Sequence, residues 1–293
     1  MRFTEKLANL SVPQVICIAA ILLVVRFALT WGKEKEEISP AAKSIAETAE
    51  SLAVALLLVF IIIKPYIVQA FYIPSPSMHM TLLENDQLIA NKFIYFFKEP
   101  RRGDIVVFKA PPEASENGVE VDFIKRVIGV PGDKVRITAG YVAAGEMVFN
   151  HRDLHYALGV TDNFSKIKIK KDGVYIDNVK VDEKRLRDSL NVGKEKFEFV
   201  PGQVYLNGKI LDEPYIAEDC DMPYPMPDTP EKWLTEDGKG NTEVLIPPER
   251  LLVMGDNRNN SNDARFWGLL ERDRIEGKAM VKFWPITRIG LIK

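Results

Sequence analysis

Twelve uninterrupted apolar residues, Leu52 to Ile63, sit inside a hydrophobic stretch that runs from about Ala46 to Phe71. A run of that character has two homes, a bilayer span or the buried helix of a soluble core. A first apolar segment precedes it from about Val12 to Trp31, broken by Arg26. We read both as membrane spans, because Arg26 and Lys64 lie near segment ends, where long cationic side chains reach the headgroups. Residues 1–70 are thus expected to form a membrane anchor. The loop between the spans carries Lys33, Lys35 and Lys43, with Arg26 adjoining, against Arg2 and Lys6 at the terminus. The positive-inside tendency puts that loop in the cytoplasm and everything after Phe71 outside. No small-residue cleavage pattern follows the first run, which argues against a cleavable signal.

Beyond Phe71 the pattern changes to short β-branched runs bounded by Gly, Pro, Asn or Asp. Strands are expected at 104–108, 123–130, 134–138, 173–181, 203–207, 251–254 and 278–284, and a short helix at 181–190. The expected fold class is therefore mainly β: an antiparallel catalytic core of residues 71–136 and 247–293, with an inserted β-rich lobe at 137–246. Within the lobe, the Pro-rich stretch from Pro214 to Pro230 reads as a surface loop. A net charge of −2 gives no global field for nucleic acid. Cys17 and Cys220 are too far apart in character and position to imply a disulfide.

Two short segments carry chemistry. The first, Ile73-Pro74-Ser75-Pro76-Ser77-Met78-His79-Met80-Thr81-Leu82, places a serine just outside the membrane. In the second, Asp122 to Asp133, strand periodicity sends Val121, Phe123, Lys125 and Val127 to one face. A lysine among apolar neighbours is desolvated, which favours its neutral form and lets it take a proton from a serine hydroxyl. A third cluster, Met254 to Gly268, is dense in Asp, Asn, Arg and Ser and reads as a rigid hydrogen-bonded turn network. One hydroxyl there, Ser261, is expected to hydrogen-bond the lysine amine, while an Asp–Arg pair fixes the loop. Other motifs lead nowhere. Ser165 and Lys168 have S-x-x-K spacing but lie on a cationic strand face, Asp256 to Asn262 lacks the glycine and glutamate of a calcium loop, and His79 is too close in sequence to turn its ring onto Ser77. Three histidines make a histidine-ligated metal centre improbable, so no metal or other cofactor is expected.

Together these segments resemble the type I signal peptidases of bacteria, membrane-bound serine proteases of the Ser–Lys type. The motifs that carry the resemblance are Ser-x-Ser-Met followed by Thr-Leu, Arg-Gly-Asp-Ile-Val-Val-Phe, Ile-Lys-Arg-Val-Ile-Gly-Val-Pro-Gly-Asp-Lys-Val and Gly-Asp-Asn-Arg-x-Asn-Ser-x-Asp. The resemblance implies Ser77 as nucleophile and Lys125 as general base, with the Ser75 hydroxyl and the Ser77 N–H as oxyanion hole. It implies Ser261 as the lysine-orienting serine, Asp263 and Arg265 as its supporting pair, and Gly255 as a glycine leaving room beside the lysine. Ile73, Pro74, Met78, Leu82, Phe123 and Ile124 correspond to residues lining shallow apolar substrate pockets. The implied substrates are preproteins with Ala-x-Ala-like signal peptides, bound as an added β-strand by a monomeric enzyme in the bacterial inner membrane, its catalytic part on the outer, periplasmic side. Two positions depart from the family: Met80, where proline is usual, and Pro76, where many members have glycine. Self-cleaving Ser–Lys proteases of the SOS-repressor type share the core, but here Ala139-Gly140 and Ala144-Gly145 lie downstream of both catalytic candidates. A non-catalytic membrane assembly factor would not need serine, buried lysine and orienting serine in one chain.

Overall fold

The computed structural model describes residues 10–32, 38–115, 118–160, 166–216 and 218–293. They divide into two units, Met1–Gln69 with Asn91–Phe96, and Ala70–Ala90 with Phe97–Lys293. Arg2, Lys6, Lys33 and Lys35, on which the expected orientation rests, and Ser165 lie outside the described residues.

In the first unit, helix α1 (Val12–Thr30) starts behind Ser11 with Pro13 in its first turn, where a missing N–H costs nothing. Helix α2 (Pro40–Leu57) is capped by the Ser39 side chain, which accepts from Ala42 N–H. The two pack together, and their buried positions are Val15, Ala19, Ala46, Ala49 and Ala53; small side chains let helix backbones approach closely. Arg26 pairs with Glu50 at 2.8 Å, so it has a protein partner and need not reach for headgroups. From Leu58 to Ile67 the helix widens into π-type turns around Pro65, since proline lacks the N–H and crowds the preceding turn. The helix ends there, and residues 68–71, expected within the second span, belong instead to a strand. Both helices, Val12–Thr30 and Pro40–Ile67, are long and apolar enough to cross a membrane.

The rest is antiparallel β-structure. In chain order the strands and helices are β1 (Val68–Tyr72), β2 (Gln87–Asn91), β3 (Ile105–Lys109), β4 (Asp122–Gly129), β5 (Lys134–Thr138), β6 (Tyr141–Ala144), β7 (Met147–Phe149), α3 (His151–Leu158), β8 (Ile167–Lys170), β9 (Gly173–Ile176), β10 (Val179–Lys180) and α4 (Glu183–Leu190). They continue as β11 (Phe197–Val200), β12 (Gln203–Leu206), β13 (Lys209–Ile210), β14 (Leu234–Glu236), β15 (Thr242–Leu245), β16 (Arg250–Met254), β17 (Leu270–Glu271), β18 (Ile275–Trp284) and β19 (Gly290–Leu291). One large sheet has the order β1-β2-β18-β3-β4-β16-β17, with β19 on β18. Three smaller sheets follow: β13-β12-β5-β15-β14, β11-β6-β7 and β10-β9-β8.

A core of Ile73, Met78, Leu82, Leu88, Ala90, Ile105, Val107 and Ala279 underlies the large sheet. A separate core under α3, α4 and strands β6, β8, β9 and β11 includes Val142, Leu154, Ile167, Leu186 and Phe197. Helix α3 was not expected. Its signal is a reciprocal cap, in which Asn150 Oδ1 accepts from Asp153 N–H and Asp153 Oδ2 from Asn150 N–H, and a stop at Gly159 with φ 68°. The Pro214–Pro230 stretch is not simply surface: Glu218, Asp219, Cys220 and Tyr224 are buried, and Tyr224 bridges to Ile137. The cationic strand is only half solvated, since Ile167 and Ile169 are buried and burial pulls the Lys168 amine down.

Candidate active site

Strand β4 pairs with β3 along Asp122 to Arg126, but with β16 only from Arg126 onward. One edge of residues 122–125 is therefore open, and it borders a cleft of about 400 Å³. Phe71 to Ser77 form the facing wall, with Asn260 and Asn262 at one end. At the base of the cleft Lys125 Nζ lies 2.8 Å from Ser77 Oγ and 3.0 Å from the Ile124 carbonyl oxygen. The Phe123 ring is 5.1 Å from the same amine. Lys125 is only 4% exposed and Ser77 only 7%. Burial pulls the Lys125 amine down to about 8; Asp263 and Asp256 oppose that shift, and Arg265 adds to it. The alternation expected along β4 fails at both ends: Val121 is exposed and outside the strand, while Arg126 and Ile128 are as buried as Lys125 and Val127.

Ser77 stands in a single tight turn, Pro76–Met78, opened by a proline whose fixed φ suits the first turn position. The turn is held from behind. Asn257 N–H donates to the Ser77 carbonyl at 3.1 Å, and Asn257 Nδ2 donates to the Pro76 carbonyl at 3.1 Å. Ser75 Oγ lies 3.3 Å from Ser77 Oγ. A Cβ on Gly255 would run into Ser261 and the Ser77 carbonyl oxygen, so this glycine makes room beside those two residues. Ser261 Oγ is buried there against Gly255 and the Asp263 carboxylate, with no well-aligned hydrogen-bond partner among the described residues.

Three buried ion pairs stiffen the 255–268 segment. Asp263 receives Arg265 Nε at 2.8 Å and Nη2 at 3.0 Å, and also Gly255 N–H at 3.0 Å. Burial alone would raise the Asp263 carboxyl, yet Arg265 and these hydrogen bonds hold it below the usual range. Arg126 forks onto Asp256 at 2.8 and 2.7 Å, Thr81 Oγ1 donates to the same carboxylate, and the Tyr215 ring covers the guanidinium at 3.9 Å. Arg258, fully buried, joins Glu213 and donates to the Gly255 carbonyl. Bidentate, hydrogen-bonded pairs of this kind fix geometry strongly.

Of the expected pocket residues, Ile73, Pro74, Phe123 and Ile124 line the cleft. Met78 and Leu82 do not: both are completely buried in the core behind its wall. Their burial is a folding term of about 1.5–3 kcal/mol each. The His79 ring is bonded to Glu84. Arg126, Asp256 and Asn257, not singled out as site residues from sequence, prove to hold the site. Met80 has φ 79° in the turn closed by Thr81 N–H to the Met78 carbonyl, a conformation closed to proline. Among the described residues no group of three or more His, Cys, Asp or Glu side chains is placed to hold a metal.

The family model of signal peptidase, peptidase S26, matches residues 45–156 and 192–284. A probable signal peptidase I-2 of Synechocystis is 31% identical over 261 residues, covering 89% of this chain and 82% of that protein. Signal peptidase I of Aquifex aeolicus is 34% identical over 236 residues, 78% of this chain and 80% of that protein. Signal peptidase I of Leptolyngbya laminosa is 32% identical over 231 residues, 78% of this chain and 74% of that protein. With most of its length matched in this way, and the antiparallel β architecture and the two apolar helices already described, the chain belongs to the S26 signal peptidases, in the bacterial type I group.

Proposed function

We propose that this protein is a membrane-bound serine endopeptidase that cleaves N-terminal signal peptides from preproteins, with Ser77 as nucleophile and Lys125 as general base. The observation that carries the reading is the buried 2.8 Å contact between Lys125 Nζ and Ser77 Oγ. A neutral Lys125 accepts the Ser77 proton as Oγ attacks the scissile carbonyl. The oxyanion that forms takes hydrogen bonds from the Ser75 hydroxyl and the Ser77 N–H. The resulting Lys125 ammonium returns its proton to the departing amine, and the acyl-serine is hydrolysed by a water that Lys125 deprotonates. In this reading Ser261 turns its hydroxyl to orient the amine, Asp263 and Arg265 support it, and Gly255 leaves room beside the lysine.

The open edge of β4 supports binding of the substrate as an added strand, with Ile73, Pro74, Phe123 and Ile124 enclosing small side chains before the cut bond. Residues 1–70 act as the anchor, 71–136 and 247–293 as the catalytic core, and 137–246 as the lobe. The anchor sits in the bacterial cytoplasmic membrane with the catalytic part outside, and the enzyme works as a monomer. Because substrate and enzyme share the membrane, confinement raises their effective concentration.

The test is preprotein cleavage in detergent. Ser77→Ala and Lys125→Ala should each lower turnover by about four orders of magnitude or more, and the double variant should be little worse, since residues acting as one unit are non-additive. Near-normal cleavage by either single variant would remove the mechanism.

A further inference from the structure

Asn259 occupies the open position of the Asn-Arg-x-Asn-Ser motif, two residues from the Asn257 that holds Ser77. Its amide is fully engaged with the 218–221 segment: Nδ2 donates to Glu218 Oε2 and to the Asp219 carbonyl, each at 3.1 Å, and Oδ1 accepts from Asp221 N–H at 3.0 Å. Glu218 in turn accepts Ile167 N–H of β8 at 2.8 Å and meets His155 Nε2 of α3 at 2.8 Å. Burial alone would raise the Glu218 carboxyl, yet the bonds from His155 and Ile167 N–H hold it below the usual range, so it faces His155 as an accepting carboxylate. The other ring nitrogen of His155, Nδ1, faces the Val160 carbonyl oxygen at 3.1 Å. An imidazole placed between two acceptors satisfies both only when it carries both protons.

We propose that His155, Glu218 and Asn259 form a proton-dependent strut that positions the Ser77-holding loop, so that the lobe sets turnover according to the charge on His155. Asn259 and Glu218 are positioning residues here, acting on Ser77 through Asn257. His151 pairs with Asp219 at 2.9 Å on the same face of α3, and Asp219 also takes Ile169 N–H and Gly202 N–H. Asp221 faces His151 and Arg265, Lys166 opposes the charge on His155, and Lys168 faces Asp219 and Glu218. The net setting favours the cation: the pairing with Glu218, partly offset by burial, raises the His155 ring above its ordinary value. A raised value means that the strut is complete below about pH 6.5, the unfolded-state value, and is lost as pH rises through the higher folded-state value. His155, Glu218 and Asn259 all lie within the family-matched residues, whereas β8, whose Ile167 N–H binds Glu218, falls between the two matched ranges.

The inference rests on Ser77 being the nucleophile, and the test separates the two. Preprotein cleavage and thermal unfolding are measured from pH 6 to 9 for the full-length wild type, Ser77→Ala, Asn259→Ala and His155→Gln in detergent. Asn259→Ala should lower kcat about tenfold with KM nearly unchanged, since a loosened loop misplaces the serine. His155→Gln keeps a neutral donor at all pH values. Its deficit against wild type, in kcat and in Tm, should be largest near pH 6 and shrink as pH rises through the raised value of the wild-type ring. A deficit independent of pH, or wild-type kcat in Asn259→Ala, overturns the strut while an inactive Ser77→Ala leaves the nucleophile standing. Retained cleavage by Ser77→Ala overturns both. If Asn259→Ala does not fold, the pH-dependent ratio for His155→Gln, whose side chain is 27% exposed, decides alone.

Discussion

Adding one methyl group at Gly255 should disable the enzyme without unfolding it. The nearest atoms to a Cβ at this position are Ser261 Oγ, the Ser77 carbonyl oxygen and Ser261 Cβ, the last at 2.6 Å, whereas ordinary contact begins at 3.4 Å. Ser261 must therefore retreat by at least about 0.8 Å, and the Ser77 carbonyl, which lies closer still, must move as well. Ser77 is not free to do so cheaply, because its carbonyl is tied to Asn257 N–H, and Gly255 cannot back away because its own N–H is tied to Asp263. Overpacking of this size costs about 1–3 kcal/mol of stability, which a folded domain survives. Catalysis is less forgiving, because a displacement near 1 Å at the reacting atoms costs about a hundredfold in rate. We expect Gly255→Ala to lower kcat on a preprotein by about two orders of magnitude, with a cooperative unfolding transition and little change in KM. Wild-type kcat in a folded Gly255→Ala protein would refute the claim that Gly255 sets the separation of Ser77 and Ser261.

Asp263→Asn leaves Arg265 buried without its charge partner, and losing one member of a buried pair costs about 3–5 kcal/mol, visible in chemical denaturation. Because Asp263 holds the Lys125 amine up, any folded Asp263→Asn enzyme should show its acid limb of activity at lower pH; a shift to higher pH would contradict the assignment. At Met80, glycine should stabilise by about 1 kcal/mol, since only glycine takes φ 79° without steric cost. Proline there should destabilise, and a neutral or stabilising Met80→Pro, measured by Tm, would show that the turn is wrongly described.

The meeting of Ser77 and Lys125 was legible because the signals for it are local. A serine beside an apolar run and a lysine among β-branched neighbours each state their environment within a few residues. What surrounds them was not legible, because its partners are distant in sequence. Arg126 reads under a period of two as a solvent-facing cation, and only Asp256, 130 positions away, makes its burial tolerable. Glu218 and Asp219 sit in a proline-rich stretch that looks like surface, yet His155 and His151, 63 and 68 positions before them, allow them to be buried. Met78 and Leu82 show the opposite failure. The resemblance placed them at the pocket, but both are fully buried in the core that packs behind the 76–78 turn. Helix α3 escaped because eight residues give too little periodicity, although the Asn150–Asp153 cap and Gly159 stop mark both its ends.

If a buried, easily deprotonated Lys125 drives Ser77, kcat/KM must rise with pH along a limb set by that amine. That limb reports the essential base in the free enzyme. With the amine at about 8, roughly one molecule in ten carries the neutral base at pH 7 and half do at pH 8, so kcat/KM should climb about fivefold over that interval. A limb centred near 10.5, the ordinary lysine value, or a rate unchanged between pH 6 and 8, would contradict the account.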